Sequence, residues 1–208
     1  MEFQSCVSNV VGGNLPDGCL GIMMSKVLGY AVVFGSGMLK VPQIMNIVAN
    51  KSADGLSRAS FEAETVGYFV ALSYSMVRGM AFNAYGECLF LLLQDLVLLA
   101  LLTIFGDKNY KRLAYAPVLL SIGGFAFFSG ILSDSALEYC FGGMNLMFYY
   151  ARGQQIWVNW KASGTGQLSS ISTCLNFLGN AVRVLTTTQE GGGRNMLISY
   201  LTSLSLNF

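Results

Sequence analysis

The chain has 208 residues, 53% hydrophobic and 11% charged, with 24 glycines, a formal net charge of +1 and no histidine. A mean hydropathy of +0.53 on so few charges makes a poor soluble surface and suits an outer face that meets lipid. Near-neutral charge without a long basic run excludes nucleic acid, whose binding needs clustered Lys and Arg, and the missing histidine excludes a histidine-based catalytic triad.

In chain order, residues 1–21 hold Glu2, Asp17 and several polar side chains, without a basic region followed by an apolar core, so no cleavable signal peptide is expected. Hydropathy then gives helices at about 22–48, 60–78, 82–105, 112–132, 136–160, 168–188 and 194–208. Pro42 lacks an N–H and clashes one turn back, which predicts a kink in the first helix; Gly153 gives the fifth a weaker version of it. The seventh segment is shorter than the roughly 20 apolar residues that span a bilayer, so it reads as short or truncated. Helical glycines (Gly29, Gly35, Gly37, Gly67, Gly123, Gly124, Gly142, Gly143, Gly179) read as points of close backbone approach. Gly191-Gly192-Gly193 reads as a flexible linker. The cysteines (Cys6, Cys19, Cys88, Cys140, Cys174) show no metal-ligand spacing. Only Cys6 and Cys19 are placed to bridge outside a membrane, and the other three read as buried thiols.

One segment is written twice. Lys40-Val41-Pro42-Gln43-Ile44 with Leu56-Ser57 downstream returns as Arg152-Gly153-Gln154-Gln155-Ile156 with Leu168-Ser169 downstream, and the same offset pairs Ser60 with Ser172 and Gly67 with Gly179. Three helices, a linker helix and three more keep the two copies in parallel orientation. The expected fold is an all-α membrane protein of about seven helices: an N-terminal segment at 1–21, a first three-helix repeat at 22–105, a linker helix at 106–135 and a second repeat at 136–208. Lys51, Arg58, Lys108, Lys111, Arg112 and Lys161 fall in the loops after the first, third and fifth helices. The positive-inside rule makes those loops cytosolic and the N-terminus lumenal or external, which leaves the sequon Asn50-Lys51-Ser52 cytosolic and unmodified.

Pro42-Gln43, its counterpart Gln154-Gln155 and the helix count resemble the PQ-loop family. Lys40-Val41-Pro42-Gln43-Ile44, Phe61-Glu62-Ala63-Glu64-Thr65-Val66-Gly67-Tyr68, Gly86-Glu87 with Gln94, Gln155-Ile156-Trp157 and Thr165-Gly166-Gln167-Leu168-Ser169 are similar to the mannose-P-dolichol utilization defect 1 proteins, from about residue 24 to Glu190. That resemblance implies a multi-pass endoplasmic reticulum protein needed for use of dolichol-phosphate-linked mannose and glucose in N-glycosylation. Its implied partners are membrane lipid, those sugar lipids and glycosyltransferases. Other branches imply a small-solute transporter of sugar or amino acid, and a non-transporting scaffold for glycosyltransferases is the third reading. Gln154 departs from the pattern, which has Pro there, and the similarity ends after Glu190. Neither a nucleophile–base spacing nor a cofactor motif is present, so the chain reads as no enzyme and needs no cofactor.

Polar residues inside apolar helices mark a site or a partner, because ionisable groups in hydrocarbon are costly. Glu64 and its repeat partner Asn176 read either as a hydrogen-bonding pair for a sugar head group or as interhelical glue. Glu87 and Arg183 sit at compatible depths for an ion pair, and Arg183 otherwise suits a lipid phosphate. Gln94 and Asp95, adjacent on one helix, are expected to point apart by about 100°, with Asp95 protonated or hydrogen-bonded. Gln43 and Gln155 sit at the two kinks, where an amide repairs freed backbone groups or binds a polar solute. Lys40 and Arg152 read as interface anchors that snorkel to head groups, with lipid-phosphate capture as the alternative. The aromatics Phe148, Tyr149, Tyr150, Trp157 and Trp160 read as packing and interfacial belt.

Overall fold

The computed structural model describes residues 3–13, 16, 18–53, 56, 58–161, 170–189 and 193–206. The helices are α1 (Phe3–Val11), α2 (Cys19–Ser36), α3 (Val41–Asn50), α4 (Arg58–Val77), α5 (Phe82–Leu102), α6 (Tyr110–Phe128), α7 (Asp134–Lys161), α8 (Ser170–Gln189) and α9 (Arg194–Leu206), and a π-helical turn (Thr103–Asp107) extends α5. Among the described residues every regular element is helical. Cys19–Asn50 and Phe82–Gly106 are long and apolar enough to cross a bilayer. The expected helices are present, with two differences. A helix, α1, forms in the N-terminal segment, and the first expected helix is two, α2 and α3, parted at residues 37–40.

Pro42 explains that break. It cannot donate to Met38 one turn back, so the Met38 carbonyl takes the Val41 N–H instead, at 3.3 Å. The preceding bonds are equally tight i to i+3 links, Gly37 to Phe34, Met38 to Gly35 and Leu39 to Ser36. Helical bonding resumes when the Ile44 N–H reaches the Lys40 carbonyl at 3.0 Å. The expected kink is thus a break of one turn, lying just before the proline.

The chain forms two compact units, Met1–Val32 with Asn145–Phe208, and Val33–Met144. In the first, a Cys6–Cys19 disulfide with Cα atoms 5.4 Å apart ties α1 to the start of α2, the pairing expected from the sequence. There α8 packs on α9, and Arg183, Thr186, Thr187, Met196 and Ser199 are buried. In the second, α4 lies along α5, with α3 against α5 and α6 against α4. The buried face of α5 repeats at three- and four-residue steps through Ala84, Cys88, Leu91, Asp95, Leu98 and Leu102, while Leu93 and Val97 face outward. Ile47, Ala53, Phe61, Leu98, Leu99 and Leu102 form its core.

Gly123 makes the close approach expected of it. A Cβ at Gly123 would sit 2.8 Å from the Phe69 ring, which meets Phe127 edge-on at 6.2 Å. By contrast, a Cβ at Gly35, Gly142, Gly143 or Gly179 meets nothing within 4 Å among the described residues. Gly191, Gly192 and Glu190 lie outside the described residues.

Candidate functional site

The buried stripe of α5 forces the chemistry of this site. Asp95 occupies a core position between Leu91 and Leu98 and is 0% exposed, so its charge requires a partner inside the unit. Lys40, at the break between α2 and α3 and only 9% exposed, supplies it. The Lys40 Nζ donates both to Asp95 Oδ1 and to Glu64 Oε2 from α4. The rings of Phe61 and Tyr68 flank the ammonium, each with its centroid 5.4 Å away. Tyr68 in turn lies within electrostatic reach of Glu64, Asp95 and Glu87.

Gln94 holds the backbone of the break. Its Oε1 accepts the Lys40 N–H at 2.8 Å, and its Nε2 donates to the Ser36 carbonyl at 2.9 Å and the Phe90 carbonyl at 3.1 Å. One amide therefore satisfies the Lys40 donor that the interrupted helix leaves over and adds a second hydrogen bond to the Ser36 carbonyl, which also accepts the Leu39 N–H. The adjacent residues Gln94 and Asp95 both serve the Lys40 turn, one through its main chain and the other through its side chain, although they leave α5 in different directions.

Two expectations are corrected here. Lys40 is no snorkelling anchor; its ammonium is drawn inward because the carboxylates of Glu64 and Asp95 lie there. Hinge repair belongs to Gln94 on α5: Gln43, on α3 and partly buried, makes none of the hydrogen bonds at the break. Of the candidate residues, Glu64 and Gln94 come together with Lys40 and Asp95. Glu87 stands about two turns before Asp95 on α5. Arg183 is a buried residue of α8 in the other unit. The backbones of Gln154, Gln155 and Asn176 are helical, and their side chains lie outside the described residues, as do those of Arg152 and Trp157.

A second polar set had no signal in the sequence beyond charge. Arg78, just after α4, donates to Asp134 Oδ1 at 2.9 Å and Glu138 Oε1 at 2.6 Å on α7. The buried Tyr74 gives its hydroxyl to the same Glu138 oxygen at 2.9 Å, and its ring stacks on Phe141 at 4.4 Å. Asp134 is 86% exposed, so this set fastens helix ends and encloses no cavity.

With all three groups ionised, Lys40, Glu64 and Asp95 carry one net negative charge. Among the described residues Asp95 Oδ2 is buried without a hydrogen-bond partner. The arrangement can take up a proton or accept a hydroxyl or ammonium hydrogen, and the side chain of Glu64, 35% exposed, is its open edge.

Solute carrier family 66 member 3 of Homo sapiens is 28% identical over 169 residues, which cover 81% of this chain and 82% of that relative. The PQ loop repeat matches residues 24–83, which hold Lys40, Pro42 and Glu64, and again residues 155–192, which hold Gln155, Asn176 and Arg183. Two stretches of the chain, one in each half, thus match the PQ loop repeat.

Proposed function

We propose that the protein carries a small polar solute, a sugar or an amino acid, across a membrane, with Lys40, Glu64 and Asp95 as the polar centre of the path. The observation that carries this reading is the buried, unpartnered Asp95 Oδ2 beside a cation that already serves two carboxylates. A scaffold gains nothing from a spare acceptor in an apolar core, whereas a carrier needs one that a proton or a solute can occupy in turn. The name of the human relative supports the same class. Two three-helix repeats in parallel, joined by a linker helix in a seven-helix chain, form the frame of this proposal. The Cys6–Cys19 disulfide supports an N-terminus on the lumenal or external side, because such bonds persist in oxidising compartments.

Reconstitution of the full chain in liposomes tests the reading. Uptake of labelled sugars or amino acids that depends on a proton gradient and is lost in Asp95→Asn and Glu64→Gln, at equal folded protein, supports it. Uptake that both variants retain overturns the role of the cluster.

A second reading rests on the ordered motifs at 61–68, 86–94 and 155–169: use of dolichol-phosphate-linked mannose and glucose in the endoplasmic reticulum, by carrying or presenting those lipids to glycosyltransferases. Cells lacking such a protein separate it from the first. Restored lumenal mannosylation and glucosylation by the wild type, with none by Glu64→Gln at matched expression, favours the second reading.

A further inference from the structure

The outer side of α4 and α6 carries a groove of about 260 Å³ that the polar cluster does not use. Its walls are Thr65 and Val66 of α4 and Ala116, Leu119 and Leu120 of α6, and Leu99 of α5 closes its floor. Positions 112, 115, 116, 119 and 120 recur at three- and four-residue steps, so the wall on α6 is one continuous stripe about 12 Å long at 1.5 Å per residue. Val66, Tyr115 and Leu119 are 57%, 62% and 66% exposed, so the groove opens outward along its length. Its volume is below the roughly 300–1,000 Å³ that encloses a whole small molecule. An open apolar trough of this length fits one stretch of hydrocarbon chain.

Only one end is charged. There Arg112 donates to Glu62 Oε2 at 2.7 Å, and Glu62 also lies 4.0 Å from the Arg58 guanidinium. Two guanidiniums around one carboxylate leave a net positive mouth, and Arg112 remains 53% exposed beyond it. The exposed Lys111 and the N-terminal end of α6 add positive charge on the same side. Tyr115, one turn deeper, stands where an interfacial aromatic belongs.

We propose that this groove holds one acyl chain of an anionic glycerophospholipid whose phosphate rests on Arg112. A phosphate accepts from the outward face of the guanidinium while Glu62 keeps the inner one. The chain then covers the apolar stripe of α6. A zwitterionic lipid presents the same tail with a weaker net attraction, so head-group charge sets the preference.

Native mass spectrometry of the full chain, released from nanodiscs of equimolar phosphatidylglycerol and phosphatidylcholine, tests this. The wild type should retain phosphatidylglycerol in preference, and Arg112→Gln should reduce that preference about fivefold, the value of one basic residue at a membrane surface. Ala116→Trp, which fills the trough, should lose the retained lipid, while Val118→Trp on another face of α6 should keep it. Equal retention of both lipids by the wild type, or an Arg112→Gln preference equal to that of the wild type, overturns the proposal. So does displacement of phosphatidylglycerol by equimolar dolichyl phosphate, or a dimer of the chain that retains no lipid.

Discussion

Removing the cation from the polar cluster should cost far more than removing an acid. In Lys40→Met, Glu64 and Asp95 face each other without the ammonium that both contact. Breaking a buried pair by deleting one partner costs about 3–5 kcal/mol, because the remaining charge is stranded. The two legs are unequal: Asp95 is fully buried, while the Glu64 side chain is 35% exposed and screened by its surroundings. Most of the penalty therefore falls on Asp95, and we expect about 4 kcal/mol for Lys40→Met. Asp95→Asn instead leaves the Lys40–Glu64 pair neutral as a whole, and the amide still offers an oxygen to the ammonium. Its cost should stay near 1 kcal/mol, the usual net value of one hydrogen bond. A chain of this length shifts its melting point by about 2–4 °C per kcal/mol, so the two variants should differ by roughly 6–12 °C. Thermal unfolding of the purified full chain reads this difference. Lys40→Met/Asp95→Asn should recover part of the loss, since only the more exposed Glu64 then lacks its cation. Equal melting points for Lys40→Met and Asp95→Asn would refute the charge accounting on which the site rests.

Gln94→Leu should strand the Lys40 N–H, at about 1–3 kcal/mol for a buried group, while the Ser36 carbonyl keeps the Leu39 N–H. Hydrogen exchange should then accelerate at residues 36–41 and leave the centre of α5 protected; unchanged exchange at Lys40 would show that the amide is not what holds the break. Gly123→Val should drive a side chain into Phe69 and destabilise by about 1–3 kcal/mol, while Gly143→Val, with open space at its Cβ, should not; equal melting points for the two variants would contradict the close α4–α6 contact. Cys6 and Cys19 should resist alkylation until reduced, whereas the exposed Cys140 should label directly and the buried Cys88 only on unfolding. Labelling of Cys6 without reductant would show the bridge to be absent.

The helices were legible because their signal is local. Apolar runs, a proline and the loop charges are read one segment at a time, and the bounds of α4, α5 and α7 lie close to those expected. The Cys6–Cys19 pairing followed by elimination, since the other cysteines lie within apolar segments. The cluster was half legible. Glu64, Gln94 and Asp95 stood out as polar residues in apolar helices, but Lys40 sat near an expected helix end, where a long side chain can reach either inward or outward. The phase of Asp95 on the leucine stripe of α5 held the missing information: an acid in step with Leu91 and Leu98 must face the core and draw a cation there. Hinge repair was assigned to Gln43 by proximity in sequence, whereas the free Lys40 N–H of the break is met by Gln94 across the helix pair. A hydrogen bond between distant segments leaves no local trace.

The two copies of the motif are equal in pattern and unequal in physics. Pro42 parts α2 from α3, whereas Gln154 keeps its N–H, and α7 runs without a break from Asp134 to Lys161. The same offset that pairs Lys40 with Arg152 sets Asn176 opposite Glu64, so an amide replaces the acid in the second copy. An amide can hydrogen-bond but carries no charge with which to neutralise a cation. In the first repeat, charge and backbone interruption coincide at Lys40. A helix pair joined by non-helical turns can change its angle at smaller cost than one continuous helix, and Lys40, which joins Glu64 and Asp95, lies within those turns. If solute or proton occupancy drives a conformational change, the first repeat is where the two are mechanically linked. Replacing Pro42 with alanine is the direct test: it restores the missing donor, should allow α2 to continue into α3, and should weaken the proposed transport while the melting point rises or holds.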